Sequence, residues 1–281
     1  MTVILLHVGA HKTATTHLQN RWSHLARSSR SVACPPLDEV RKQFLPACGQ
    51  GADAQRNARR WLASHCEGRD TVVVSDENML GFCEEPFQGG QLYTQARERV
   101  ARLAGVLQGH RVTVLFSVRG YADWLRSAWC ETIRHQPYKP FRKSFKSLDT
   151  PQRGWEHVAG DVLQALPEAD LAWWRYEDLE PARAALDTLV FGAAATADVP
   201  VDAKRERQSF SRPAIKLLDE IFTSAGPDVA TKARASVEKV LRMPQQPRFD
   251  PWQPEETALF EMAYRRSLAA LGTLPRSRAL L

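Results

Sequence analysis

The residues with the clearest chemistry lie near the start of the chain. His7-Val8-Gly9-Ala10-His11-Lys12-Thr13-Ala14-Thr15-Thr16-His17-Leu18-Gln19 follows an apolar run and leads into residues with helical spacing. A helix that opens there presents backbone N–H groups with no intrahelical acceptor, together with the positive end of its dipole. Phosphate and sulfate groups bind at such ends. Lys12 adds a point charge, and Thr13, Thr15 and Thr16 add hydroxyls. A turn of this kind suits the gripping of an anionic group and the stabilisation of charge that grows on it. It is not a Walker A motif, GxxxxGK[ST], because no glycine stands before Lys12.

Two further places carry candidate chemistry. Arg119 ends the apolar run 112–118, and Ser127 and Trp129 follow it. An arginine at a strand's carboxyl end can fork two phosphate oxygens, and a serine on the next helix can bond the same group. Ser75-Asp76-Glu77-Asn78 ends another apolar run and sets two carboxylates at a strand end.

These residues need a scaffold that brings strand ends together. Apolar runs at residues 2–8, 71–75, 111–118 and 171–174 predict strands. The near-continuous apolar character of the first three predicts burial on both faces, as in a parallel sheet. Between them lie helical patterns: Leu18, Trp22 and Leu25; residues 91–108 with Val100, Leu103 and Leu107; and Leu125, Trp129 and Ile133. Alternating strand and helix predicts an α/β fold with a doubly wound, mainly parallel sheet flanked by helices and right-handed crossovers. Ligands of such sheets bind outside the carboxyl ends of the strands. From Arg212 onward the patterns are helical only, at residues 215–222, 233–241 and 255–271. They predict a helical C-terminal layer over about 211–275, packed on a single domain that spans residues 1–281. Two loops are basic: 137–151, with Lys139, Arg142, Lys143 and Lys146, and 198–212, with Lys204, Arg205, Arg207 and Arg212.

Composition narrows the class. The 281 residues are 43% hydrophobic and carry a formal net charge of +6. Such a balance attracts anions without choosing among nucleotides, acidic glycans, nucleic acid and membrane surface. Aromatic and basic residues do not interleave as in RNA-binding modules, which argues against nucleic acid. No apolar run reaches the roughly 18 residues of a membrane span. Residues 1–6 lack a basic flank and a cleavage site, so they read as a strand and not as a signal peptide. Five widely spaced cysteines with no CxxC pair argue against a disulfide framework or a zinc site and for a cytoplasmic setting.

The run from Lys12 to Gln19 resembles the 5′-phosphosulfate loop of sulfotransferases that use 3′-phosphoadenosine 5′-phosphosulfate, a strand followed by K-[ST]-G-T-[TS]-x-L-Q. Ala14 stands where that family has glycine, a change that is strained if φ is positive and tolerable if the residue is already helical. Arg119, Ser127 and Trp129 resemble the family's 3′-phosphate motif, R-x-P-x-x-R-x-x-S-x-[YW]. Tyr121 replaces the proline and Trp124 the inner arginine, with Arg126 nearby. Arg175-Tyr176-Glu177-Asp178-Leu179 matches a family segment whose role looks structural. Residues 205–212 are similar to a late basic loop that helps hold the nucleotide. These pieces fall in the family's order over residues 3 to about 180.

The resemblance implies a P-loop-like, three-layer fold and a single-domain enzyme. It implies sulfuryl transfer from 3′-phosphoadenosine 5′-phosphosulfate to a hydroxyl or amine of an unidentified acceptor, a glycan, lipid or natural product, with adenosine 3′,5′-bisphosphate released. Lys12, Thr13, Ala14, Thr15 and Thr16 would hold the 5′ end, and Arg119 and Ser127 the 3′-phosphate. Lys12 would stabilise the leaving phosphate and Glu77 would act as base, with Asp76 second and His11 third. No metal is required, and the cations of loop 137–151 suggest an acidic acceptor. The chain is expected as a monomer or homodimer. A P-loop nucleotide kinase and a catalytically silent nucleotide-binding module are the competing expectations.

Overall fold

Along the first apolar run, alternate side chains go to opposite sides of a sheet. Ile4, Leu6 and Val8 join one buried cluster, while Leu5 joins another. The computed structural model describes residues 1–49, 51–145, 153–192, 209–241 and 246–280. Its strands are β1 (Val3–Gly9), β2 (Val32–Ala33), β3 (Thr71–Ser75), β4 (Arg111–Val118), β5 (Asp170–Arg175) and β6 (Ser277–Ala279). They form one six-stranded sheet in the order β2-β3-β1-β4-β5-β6, and every pairing is parallel. β1 lies centrally, between β3 and β4, so the turns that leave these three strands share one edge.

The longer helices are α1 (Thr15–Ala26), α2 (Ala52–Cys66), α3 (Tyr121–His135), α4 (Trp155–Ala165), α5 (Leu179–Phe191), α6 (Arg212–Ala225), α7 (Pro227–Val240) and α8 (Pro254–Leu271). On one face α1 and α5 cover the sheet through Leu18, Trp22, Leu186 and Val190. They are tied to each other by Arg21, whose guanidinium meets the Asp187 carboxylate at 2.5 Å with both side chains buried. The opposite face carries Trp61 and Leu62 of α2, Trp124 and Leu125 of α3, Val158 of α4 and Phe260 of α8. Helices therefore flank an all-parallel sheet on both sides, which is the expected α/β class.

The structure amends three expectations. Two strands escape the sequence pattern, since β2 has two residues and β6 three. The C-terminal region is thus not purely helical: β6 is held by neighbouring backbone, Leu171 N–H donating to Arg276 O and Leu280 N–H to Trp173 O. Residues 91–108 make two short helices, Ala96–Ala101 and Ala104–Leu107, and not one. The tightened Val100–Leu103 and Leu103–Val106 turns interrupt that segment. The α6 and α7 helices pack on α3. Ile215, Leu218 and Val237 pack with Trp129, Ile133 and Tyr138 in a separate cluster on the far side of α3.

Among the described residues no helix is long and apolar enough to cross a membrane. The five cysteines are free thiols.

Candidate functional site

The turn between β1 and α1 is bent into conformations that side chains resist. Gly9 has φ +94°, and a Cβ there would lie 2.8 Å from Cβ of Glu77, so glycine is required. Lys12 (φ 62°) and Ala14 (φ 64°) are both left-handed. Each such residue costs about 1–2 kcal/mol when it carries a Cβ. Ala14 is therefore in the strained case, and the glycine of the family pattern would have been easier there. Thr13 lies between these two left-handed residues.

Surrounding groups hold this shape. Ala10 N–H donates to Ser117 O on β4 at 2.9 Å. His11 N–H donates to the Tyr93 hydroxyl at 3.0 Å, and Trp124 Nε1 donates to His11 O at 2.8 Å. Arg119 Nη1 donates to Lys12 O at 2.8 Å. The Thr13 hydroxyl donates inward to Ala10 O at 2.6 Å, and the Thr15 hydroxyl faces the same carbonyl at 3.4 Å, so both brace the turn. Thr16 is exposed. By contrast, the backbone N–H groups of Lys12, Thr13, Ala14, Thr15 and Thr16 make no hydrogen bond to any described residue. The carbonyls are used and the donors stay open, the polarity that an anion needs.

Lys12 Nζ lies 3.0 Å from Glu131 Oε2 on α3. Trp124, Ser127 and Glu131 recur at three- and four-residue spacing and share one helix face. Its two outer members both engage the turn, Trp124 through His11 O and Glu131 through Lys12. Ser127 is buried between them.

Arg119 extends from the end of β4 onto the turn. Its guanidinium stacks over the Tyr176 ring, 4.3 Å from the centroid, and its Nε is buried without a partner among the described residues. Burial pulls its pKa below the usual arginine value, partly offset by Tyr176, Asp123 and Glu177. Trp155 Nε1 fixes the Arg119 carbonyl at 2.8 Å. The two anion sites of the sequence are thus in contact, but one Arg119 nitrogen already serves the turn. No hydrogen bond joins Arg119 to Ser127 among the described residues. Arg126 is paired with Asp123 within α3.

The three base candidates differ in how free they are. Asp76 is fully buried. Its Oδ1 accepts from Asn78 N–H at 2.9 Å and from Asn78 Nδ2 at 2.8 Å, and its Oδ2 accepts from Arg41 Nε at 2.8 Å. It closes the short turn Glu77–Met79 and has no oxygen turned outward. His11 is engaged at both ring nitrogens, 2.8 Å from the Tyr93 hydroxyl and 3.2 Å from Asn78 Oδ1. Glu77 packs against Gly9, is 20% exposed, and among the described residues has only Arg41 Nη2 at 4.0 Å as ionic partner, so it is the least committed of the three.

Sequence reasoning missed Glu131, Trp124 and Tyr176 as parts of this site. Only the four-residue step from Ser127 to Glu131 could have pointed to Glu131. The Arg175–Leu179 segment behaves as expected of a structural piece: Glu177 accepts from Gly120 N–H at 2.9 Å and from the Tyr264 hydroxyl at 3.0 Å. In the first basic loop Arg142 pairs with Glu256 at 2.7 Å and Lys143 lies over the Phe222 ring, while Lys146 falls outside the described residues. Lys204, Arg205 and Arg207 also fall outside them, and Arg212 opens α6. Comparison of the chain with protein-family models, with curated proteins and with solved structures finds no match, so the site's own geometry carries the functional reading.

Proposed function

We propose that the chain is a sulfotransferase that moves a sulfuryl group from 3′-phosphoadenosine 5′-phosphosulfate to a hydroxyl or amine. One observation carries the reading: a braced turn at the carboxyl end of the central strand leaves the backbone N–H groups of residues 12–16 without partners among the described residues. The donor set fits the 5′ end of that nucleotide, being cationic and rich in N–H groups. When bound, the nucleotide supplies an activated sulfuryl group and a phosphate that departs with the bridging oxygen.

In this reading the open N–H groups of residues 12–16 grip the 5′-phosphate, and the Lys12 ammonium stabilises charge growing on the leaving oxygen. The remaining nitrogens of Arg119, stiffened by Tyr176, attract the 3′-phosphate, and Ser127 offers its hydroxyl. Glu77, across Gly9 from the turn, takes the acceptor's proton. The residues supply position and charge, as in phosphoryl transfer.

Calorimetric titration with adenosine 3′,5′-bisphosphate, with and without Mg²⁺, tests the reading. Metal-independent binding supports it; binding of ATP only with Mg²⁺ selects a nucleotide kinase. Turnover of labelled donor against an acceptor library then separates an enzyme from a silent module. The silent module is favoured by one feature, the tie between Lys12 and Glu131.

A further inference from the structure

The Lys12 ammonium already has a counter-ion. The Lys12–Glu131 pair is largely shielded from water, with side chains 17% and 12% exposed. Solvent screens such a pair weakly, so an arriving anion must compete with Glu131 for the lysine. Two features make that exchange easy. First, Glu131 has other partners. Its Oε2 also accepts from Arg134 Nη1 at 3.0 Å, and its Oε1 lies 3.2 Å from His135 Nε2. Arg134 is itself anchored on Glu238 at 2.6 Å. Loss of Lys12 therefore strands no buried charge, the outcome that would make breaking such a pair costly. Second, the Lys12 backbone is pinned through its carbonyl by Arg119, while its ammonium sits on a flexible four-carbon stem. The charge can swing without moving the turn.

We infer that Glu131 is a positioning residue that holds the Lys12 ammonium until an anion enters the turn and then hands it over. Anion binding and rupture of the Lys12–Glu131 pair are one linked event. Glu131 weakens binding by the strength of the pair it must give up, and it acts through Lys12 without touching the ligand. The inference rests on the proposed anion site and adds to it a built-in competitor.

The test is a double-mutant cycle read by calorimetry with adenosine 3′,5′-bisphosphate, on wild type, E131Q, K12M and the double variant. E131Q keeps the shape and removes the charge. It should bind about tenfold tighter than wild type, and this gain should shrink to about twofold or less in the K12M background. In turnover, E131Q should lower KM for the donor without raising kcat, whereas a merely structural lesion would raise KM or lower kcat alone. E131D, with a shorter carboxylate, should fall between wild type and E131Q, and it carries the test if E131Q does not fold. Unchanged or weaker binding in these variants overturns the role of Glu131, as does an equal gain without Lys12. If wild type binds bisphosphate and E131Q binds no tighter, only this inference falls. If wild type does not bind it, the proposed function falls as well.

Discussion

Two turns leave the sheet side by side, one after β1 and one after β3, and they use their polar groups in opposite ways. The turn after β3 closes on itself: Asp76 is buried, caps Asn78 and takes Arg41, so its donors and acceptors are matched. The turn after β1 satisfies Ala10 O with its own threonine hydroxyls, and His11 O and Lys12 O from Trp124 and Arg119; it leaves the N–H groups of residues 12–16 without partners among the described residues, at the expense of two left-handed side-chain-bearing residues. Burial of polar groups is tolerable only when they are paired, and backbone strain persists only when neighbours over-determine it. The turn after β3 is built as a support, and the turn after β1 is open in the way a receptor would be. Their contact, Glu77 against Gly9, sets a carboxylate beside the open turn.

This contrast can be broken experimentally, beginning with the largest effect. Lys12→Ala should lower sulfuryl transfer by roughly 100–1000-fold with little change in melting temperature, because Glu131 keeps Arg134. Normal turnover in that variant would refute the assignment. Asp76→Ala, in the support turn, should do the reverse. It should destabilise the fold by about 2–3 kcal/mol in urea unfolding, since it strips partners from a buried network; a stable variant would show that the turn does not depend on its cap.

The floor beneath both turns gives a pH test. His7 is fully buried, hydrogen-bonded at Nδ1 to Ser75 Oγ (2.7 Å). Burial lowers its pKa from 6.5 to about 3. In between, the unfolded chain binds the proton and the folded chain does not, so stability rises with pH there and is lost as pH falls below 6.5. The loss from this group approaches about 1.4 kcal/mol per pH unit. Unfolding curves of His7→Asn should lack that one-proton slope, and an identical acid limb would mean that His7 is protonated in the fold.

Two smaller effects sharpen the receptor half. Arg119→Ala should weaken adenosine 3′,5′-bisphosphate about tenfold more than adenosine 5′-phosphosulfate, corresponding to about 1.4 kcal/mol of discrimination. Equal losses would assign Arg119 to bracing Lys12 O alone. Ala14→Gly should relieve the left-handed alanine and stabilise the fold by about 1 kcal/mol, a rise of about 2 °C in Tm. A fall in Tm would show that the turn is not strained at Ala14.

Much of this was legible in the chain itself. The apolar runs marked four of the six strands, because a strand buried on both faces must be apolar throughout. Strand-then-helix order marked the Lys12 turn as a place of open N–H groups, because helix ends leave such groups open wherever they occur. Tertiary structure alone decided the rest. β2 and β6 are too short to carry a period and exist because a sheet edge receives them. The hand of Ala14 depends on what braces the turn and not on its neighbours in sequence. The same is true of Glu131 and Arg119, which lie 119 and 107 residues from Lys12 and reach it only because parallel strands deliver their ends to one edge. Local pattern records what a segment buries. Which charges then meet across the sheet is set by the path of the whole chain.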